Sequence, residues 1–214
     1  MDVTLTIDNG PYPDVTPGVL DTLSANDVKA TFFTIGARLD DQRCFDVAQR
    51  AHDEGHIVAN HTFRHDTLQG DHVSDEAAIE DIALAQERLD RMGATHRLFR
   101  PYAAMGQISD RLLRPATAKY LCENGYSCAL WNSVPRDWEH PEDWDQIALA
   151  DVQTRESSVI VVHDFPTGAM ARLGAFIEGV RELGGRFTTS FPEICMPIRK
   201  GVADARIASL MRVT

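Results

Sequence analysis

Apolar and polar positions alternate at the start of the chain. Val3, Leu5 and Ile7 are interleaved with Thr4, Thr6 and Asp8, which is the period of a strand. The pattern then changes period. Val19, Leu20 and Leu23 supply an apolar face after Thr16-Pro17, which reads as an N-cap followed by a proline in the first helical turn. The β-branched and aromatic run from Ala30 to Ile35 predicts a second strand. Phe45, Ala48 and Ala51 mark a helix that Gly55 stops, and positions 56–60 form a short strand. Ile79, Ile82, Ala83, Gln86 and Leu89 share one helical face, which Gly93 ends. Strands follow at 97–100, 126–131, 158–162 and 186–190. Between them lie helices from Arg114-Pro115 to Asn124-Gly125, after Pro141 with Trp144, Ile147 and Val152, and from Leu173 to Leu183. Seven strands interleaved with six helices predict an α/β fold with a parallel sheet and helices outside.

Composition places this pattern in one unit. At 214 residues, a single domain spanning 1–214 is expected, with 192–214 as a C-terminal extension. In that extension Ile207, Leu210 and Met211 fall at helical spacing, predicting packing on the body of the domain or on another subunit. The formal net charge is -11, which argues against nucleic acid and anionic membranes as partners. No apolar stretch is long enough for a membrane span, and no signal-peptide pattern opens the chain, so a cytoplasmic location is expected. Cys44, Cys122, Cys128 and Cys195 form no C-x-x-C pair and read as reduced, buried thiols. Nothing in the sequence sets the oligomeric state.

Chemistry gathers at the strand ends. Asp8, His61, Arg100 and His163 each lie at or just past the C-terminal end of a predicted strand. In β/α barrels and open α/β sheets that edge carries the active site. Taken singly, each cluster has a plain structural reading. Asp8-Asn9-Gly10 ahead of Pro11 is also a strong turn sequence. The H-x-x-x-H spacing of His61 and His65 fits a surface pair or two ligands on one helical turn. Arg100 and His163-Asp164 suit a strand cap and a loop pair. Together and in this order they compose the parts of a metal-assisted hydrolase.

The clusters Thr6-Ile7-Asp8-Asn9-Gly10, His61-Thr62-Phe63-Arg64-His65, Phe99-Arg100-Pro101-Tyr102 and Val161-Val162-His163-Asp164 resemble the motifs of the polysaccharide deacetylase (NodB homology) family, carbohydrate esterase family 4. Lys29 to Phe33, Gly55-His56, Trp131 and Pro135-Arg136-Asp137-Trp138 extend the likeness from about Val3 to about Pro192. The resemblance implies a distorted seven-stranded parallel (β/α) barrel. It implies a divalent metal, typically zinc, held by His61, His65 and position 9. It further implies Asp8 as general base, Arg100 as its partner, His163 as general acid and Asp137 as the residue that orients His163. Tyr102, Trp138 and Val161 match substrate-binding positions, with a backbone N–H near Tyr102 as oxyanion donor. The implied activity is hydrolysis of non-peptide carbon–nitrogen amide bonds, foremost N-deacetylation of an N-acetylated sugar. Two other readings stay open: an amidohydrolase of cyclic or non-sugar amides, and a weakened carbohydrate-binding member.

Three positions depart from the family pattern. Asn9 stands where the family carries a metal-ligand Asp. The Arg100-Pro101-Tyr102-Ala103 motif is one residue shorter than Arg-Pro-Pro-Tyr-Gly. Val134 replaces an Asp three residues before Asp137.

Overall fold

The computed structural model describes residues 1–212. Strand β1 (Asp2–Asp8) is buried along nearly its whole length and forms the axis of the sheet. It pairs in parallel with β2 (Thr31–Thr34) on one side and β6 (Ser157–His163) on the other. The order continues through β3 (Ile57–Asn60), β4 (Leu98–Phe99) and β5 (Ser127–Cys128), all parallel. The short β7 (Arg186–Phe187) pairs with the start of β1. Beyond β5 the sheet curls round, and Ser133 bridges in parallel to Ile160 of β6. The result is the expected distorted β/α barrel.

The strand count differs. Nine strands are described, because the C-terminal extension adds β8 (Ile198–Arg199) and β9 (Val202–Ala203). Strand β8 runs antiparallel to β5. Strands β4 and β5 are shorter than their apolar runs. Their backbones nevertheless keep bonding past the ladder, with Arg100 N–H donating to Asn60 O at 2.9 Å and Ala129 N–H to Phe99 O at 2.8 Å. The strand segments therefore still deliver residues 100 and 129–131 to the rim.

Six helices cover the outside: α1 (Thr16–Ala25), α2 (Gln42–Asp53), α3 (Asp75–Arg91), α4 (Pro115–Glu123), α5 (Trp144–Gln153) and α6 (Leu173–Glu182). Thr16 is not the cap of α1. The cap position is Val15, and the Thr16 hydroxyl donates to Asp164 while accepting from Tyr12 N–H. Two large apolar clusters, with a small third of Phe33, Ala59, Ala129 and Met196, fill the interior. One joins β1 and β6 to α1, α5 and α6 through Leu5, Leu20, Trp144, Ile160 and Phe176. The other gathers Ile82, Phe99, Leu121, Tyr126 and Trp131 with Cys195, Ile198 and Leu210 of the extension. Ile207 and Met211 pack against it, so the tail lies on the barrel, in a 3₁₀ turn (Ala205–Leu210). All four cysteines are free thiols, with Cys122 only half-buried where burial was expected. Among the described residues no helix is long and apolar enough to cross a membrane.

Candidate active site

One cleft of about 190 Å³ opens at the C-terminal rim, lined by Asp8, Asn9, His61, His65, Tyr102 and His163 among others. Trp138 and Val161, the further positions expected to touch substrate, line it too. Arg100 and Asp137 stand behind this wall, each fully buried.

Asp8 ends β1, where the residue is 3% exposed. An isolated carboxylate there would be costly, so the nearby cation matters. Arg100 Nη1 donates to Asp8 Oδ1 at 2.8 Å and to Thr6 Oγ1 at 2.7 Å. Its other nitrogens donate to the carbonyls of Ala129 and Leu130, and the guanidinium lies 4.0 Å over the Phe33 ring. Burial lowers the Arg100 pKa, and the Asp8 carboxylate opposes that shift. With Oδ1 so occupied, Asp8 Oδ2 faces His61 Nε2 at 3.7 Å.

The two histidines meet without a helix. His61 and His65 sit in a loop past β3, with Thr62 at φ 63° and His65 at φ 57°. Left-handed residues of this kind are uncommon outside glycine, and they fold the loop back so that the rings lie 4.5 Å apart. The expectation of a shared helical face is thus replaced by a tight turn. His61 Nδ1 lies 2.8 Å from the Arg100 carbonyl oxygen, to which only an N–H can donate. That bond fixes the tautomer and leaves Nε2 with its lone pair. Burial, then the Arg100 charge, pushes His61 down to about 3, and burial, then His61 itself, pushes His65 down to about 2. Both imidazoles are therefore neutral, the form that ligates metals.

Asn9 follows at φ 72°. Its Oδ1 is buried and has no hydrogen-bond partner, an uncommon condition for an amide oxygen. The unbonded Nε2 of His61, the His65 ring and the orphaned Asn9 oxygen line one cleft and fit a cation. Among the described residues no group of three His, Cys, Asp or Glu side chains that could hold a metal ion is found.

His163, the last residue of β6, lies level with Asp8 on the neighbouring strand. Its Nδ1 lies 2.9 Å from Asp137 Oδ1, and its backbone N–H donates to Asp137 Oδ2 at 2.9 Å. Asp137 thereby grips ring and backbone at once. Trp138 meets the imidazole edge-on at 5.0 Å, and Phe165 stacks on it at 4.8 Å. Tyr102 packs edge-on against His65 at 4.4 Å.

Sequence reasoning does not single out Phe165, Met105 or Gly106, which also line the cleft. Gly106 (φ +70°) approaches Val134 so closely that a Cβ would stand 3.1 Å from it, and its carbonyl accepts from Trp131 Nε1–H at 3.0 Å. The Asp-to-Val departure at 134 thus seats the 104–106 turn over the cleft. Asp164 stands out in the sequence only as a neighbour of His163. It is fully buried, its pKa is pushed up to about 6 by burial, and its carboxylate occupies the space where any side chain at position 10 would go. Glycine at 10 is therefore a packing requirement as well as a turn residue.

The sequence model of polysaccharide deacetylases matches residues 1–121. A peptidoglycan-N-acetylglucosamine deacetylase of Bacillus cereus is 32% identical over 192 residues, covering 87% of this chain and 85% of that protein. A chitooligosaccharide deacetylase of a Bradyrhizobium species is 33% identical over 167 residues, covering 78% of this chain and 72% of its own. The crystal structure of a polysaccharide deacetylase from Bacillus cereus superposes with a TM-score of 0.71 at 26% identity, over 92% of this chain and 95% of that one. On motif order, barrel topology and these similarities, the chain belongs to the polysaccharide deacetylase family.

Proposed function

We propose that this chain is a metal-assisted N-deacetylase of N-acetylated sugars, with His61, His65 and Asn9 as the residues that would hold the cation. The observation that carries the reading is the unpartnered, buried Oδ1 of Asn9 in the cleft that two neutral imidazoles also line. Similarity to peptidoglycan and chitooligosaccharide deacetylases supports the substrate class. A divalent cation, zinc foremost, supplies when bound a Lewis acid for the amide carbonyl and for the attacking water.

The protein's own groups do the rest. Asp8, held by Arg100 through Oδ1, presents Oδ2 to accept the water proton. His163, with Nδ1 committed to Asp137, has Nε2 left to protonate the departing amine. A backbone N–H near Tyr102 is the donor to the oxyanion. Trp138 and Val161, on the cleft wall, contact the acyl group. Apolar walls exclude competing water from the reacting amide.

The test is release of free amine from N-acetylated chitooligosaccharides by purified protein, with elemental analysis and with zinc added or chelated. Turnover that needs metal is the expected result. Turnover of cyclic ureides or imides alone would replace the substrate class. Binding of sugar without turnover of any amide would remove the enzyme reading.

A further inference from the structure

We propose that Asp81, on helix α3, is the positioning residue of the loop that carries His61 and His65. The inference rests on the metal reading above and concerns how the two imidazoles are held in place before any cation arrives.

Left-handed backbone at Thr62 and His65 is unfavourable for residues with a Cβ and persists only where its surroundings dictate it. The partners of that loop can be named one by one. His61 N–H donates to Thr34 O at 3.1 Å, Thr62 N–H to Asn60 Oδ1 at 3.0 Å, and His65 N–H to Thr62 Oγ1 at 3.0 Å. The carbonyls of Thr62 and Phe63 accept from Gly36 and Ala37, both at 2.9 Å. The two central donors, Phe63 N–H at 3.2 Å and Arg64 N–H at 2.9 Å, both go to one oxygen, Asp81 Oδ1.

Asp81 is the charged member of this set, and it reaches the loop from another element. Its second oxygen accepts from the fully buried Gln69 at 3.4 Å and lies 3.7 Å from His72 Nε2. Both carboxylate oxygens thus have polar neighbours, and Asp81 is only 6% exposed. The next residue of the same helix turn takes part as well, since Asn60 Nδ2 donates to Ile82 O at 2.9 Å. Helix α3 is seated tightly behind the loop, because a Cβ on Gly36 would stand 2.6 Å from Ala85 Cα. Charge-assisted bonds to backbone N–H groups are stronger than neutral ones. Asp81 touches neither imidazole, so its effect on them is through the backbone.

The experiment measures zinc affinity by chelator competition in the full chain, together with amide exchange in the metal-free protein. Asp81→Ala is expected to weaken zinc binding by about tenfold or more, within the range that outer contacts of metal ligands command. It should also speed exchange at Phe63 and Arg64 by about tenfold while leaving the β1 amides unchanged. Asp81→Asn keeps an oxygen for the same two donors and should lie between Asp81→Ala and the wild type in both readouts. Zinc affinity of folded Asp81→Ala within threefold of wild type would overturn the proposal, as would Asp81→Asn behaving like Asp81→Ala. If Asp81→Ala does not fold, Asp81→Ser, too short to reach the loop, takes its place with the same expected and overturning results. If the wild type binds no zinc, the proposed function falls, and exchange at Phe63 and Arg64 alone decides on the loop.

Discussion

Asn9 is the residue on which the proposed metal chemistry turns. An amide oxygen can ligate a cation but brings no formal charge, and a charge in contact with a divalent ion contributes strongly where solvent is excluded. Asn9→Asp is therefore expected to tighten zinc binding by on the order of tenfold or more. Chelator competition checks this, and unchanged affinity would show that position 9 does not face the metal. The proposed acid and base give a second expectation. Asp8→Asn and His163→Ala should each lower kcat by on the order of 10² or more, and the double variant should lose far less than the product. Wild-type turnover in either single variant would remove that residue from the reaction. These residues were legible in the sequence because each follows an apolar run whose end a parallel barrel places at one rim. Their partnerships were legible only through the family motifs. Nothing local in the sequence says that Arg100 spans 92 positions to Asp8.

Between elements, His56 links the start of β3 to the chain entering β2, and its protonation state follows from that link. His56 Nδ1 accepts from Ala30 N–H at 3.1 Å, so the ring must be neutral to make the bond. Burial, reinforced by Lys29, pushes His56 down to about 4 from its ordinary 6.5. The folded state then binds fewer protons than the unfolded chain between those values. The stabilisation is complete above about pH 6.5 and disappears as pH falls through 4. His56→Gln, whose side-chain oxygen can still accept from Ala30, should reduce the loss of stability between pH 7 and 4 by about 3 kcal/mol. Denaturant titrations at several pH values test this, and an unchanged pH slope would exclude His56 as the source. Long-range partners also explain where periodicity misled. Thr16 had the identity and position of an N-cap, but its hydroxyl is taken by Asp164, 148 residues away. H-x-x-x-H had helical spacing, but Thr62 and His65 turn left-handed because Asn60, Gly36 and α3 bind the loop there. Phe165 and Asp81 carry no pattern of their own, since one is an aromatic after a strand and the other one more acid on an amphipathic helix. Element type was readable from period, while these roles depend on contacts that period does not encode.

At the scale of the molecule, the C-terminal extension behaves as part of the barrel. Strand β8 covers the edge of β5, and an uncovered edge would present unpaired backbone groups. Cys195, Ile198 and Leu210 enter the same apolar cluster as Trp131 and Val161, both of which line the cleft. Leu113 N–H donates to Leu210 O at 2.9 Å, tying the tail to the segment ahead of α4. Leu210 is 3% exposed, so Leu210→Ala should cost about 2 to 4 kcal/mol, the usual range for a buried leucine. Zinc affinity of that variant should stay within threefold of wild type, because the residues proposed to hold the metal lie just past β1 and past β3 and Leu210 packs in a different cluster. Truncation after Pro192 removes all three apolar residues and the edge strand together. The shortened chain is expected to lose cooperative thermal unfolding and to expose surface that binds an apolar dye. A truncated protein that melts cooperatively at the wild-type temperature would show that the barrel closes without its tail.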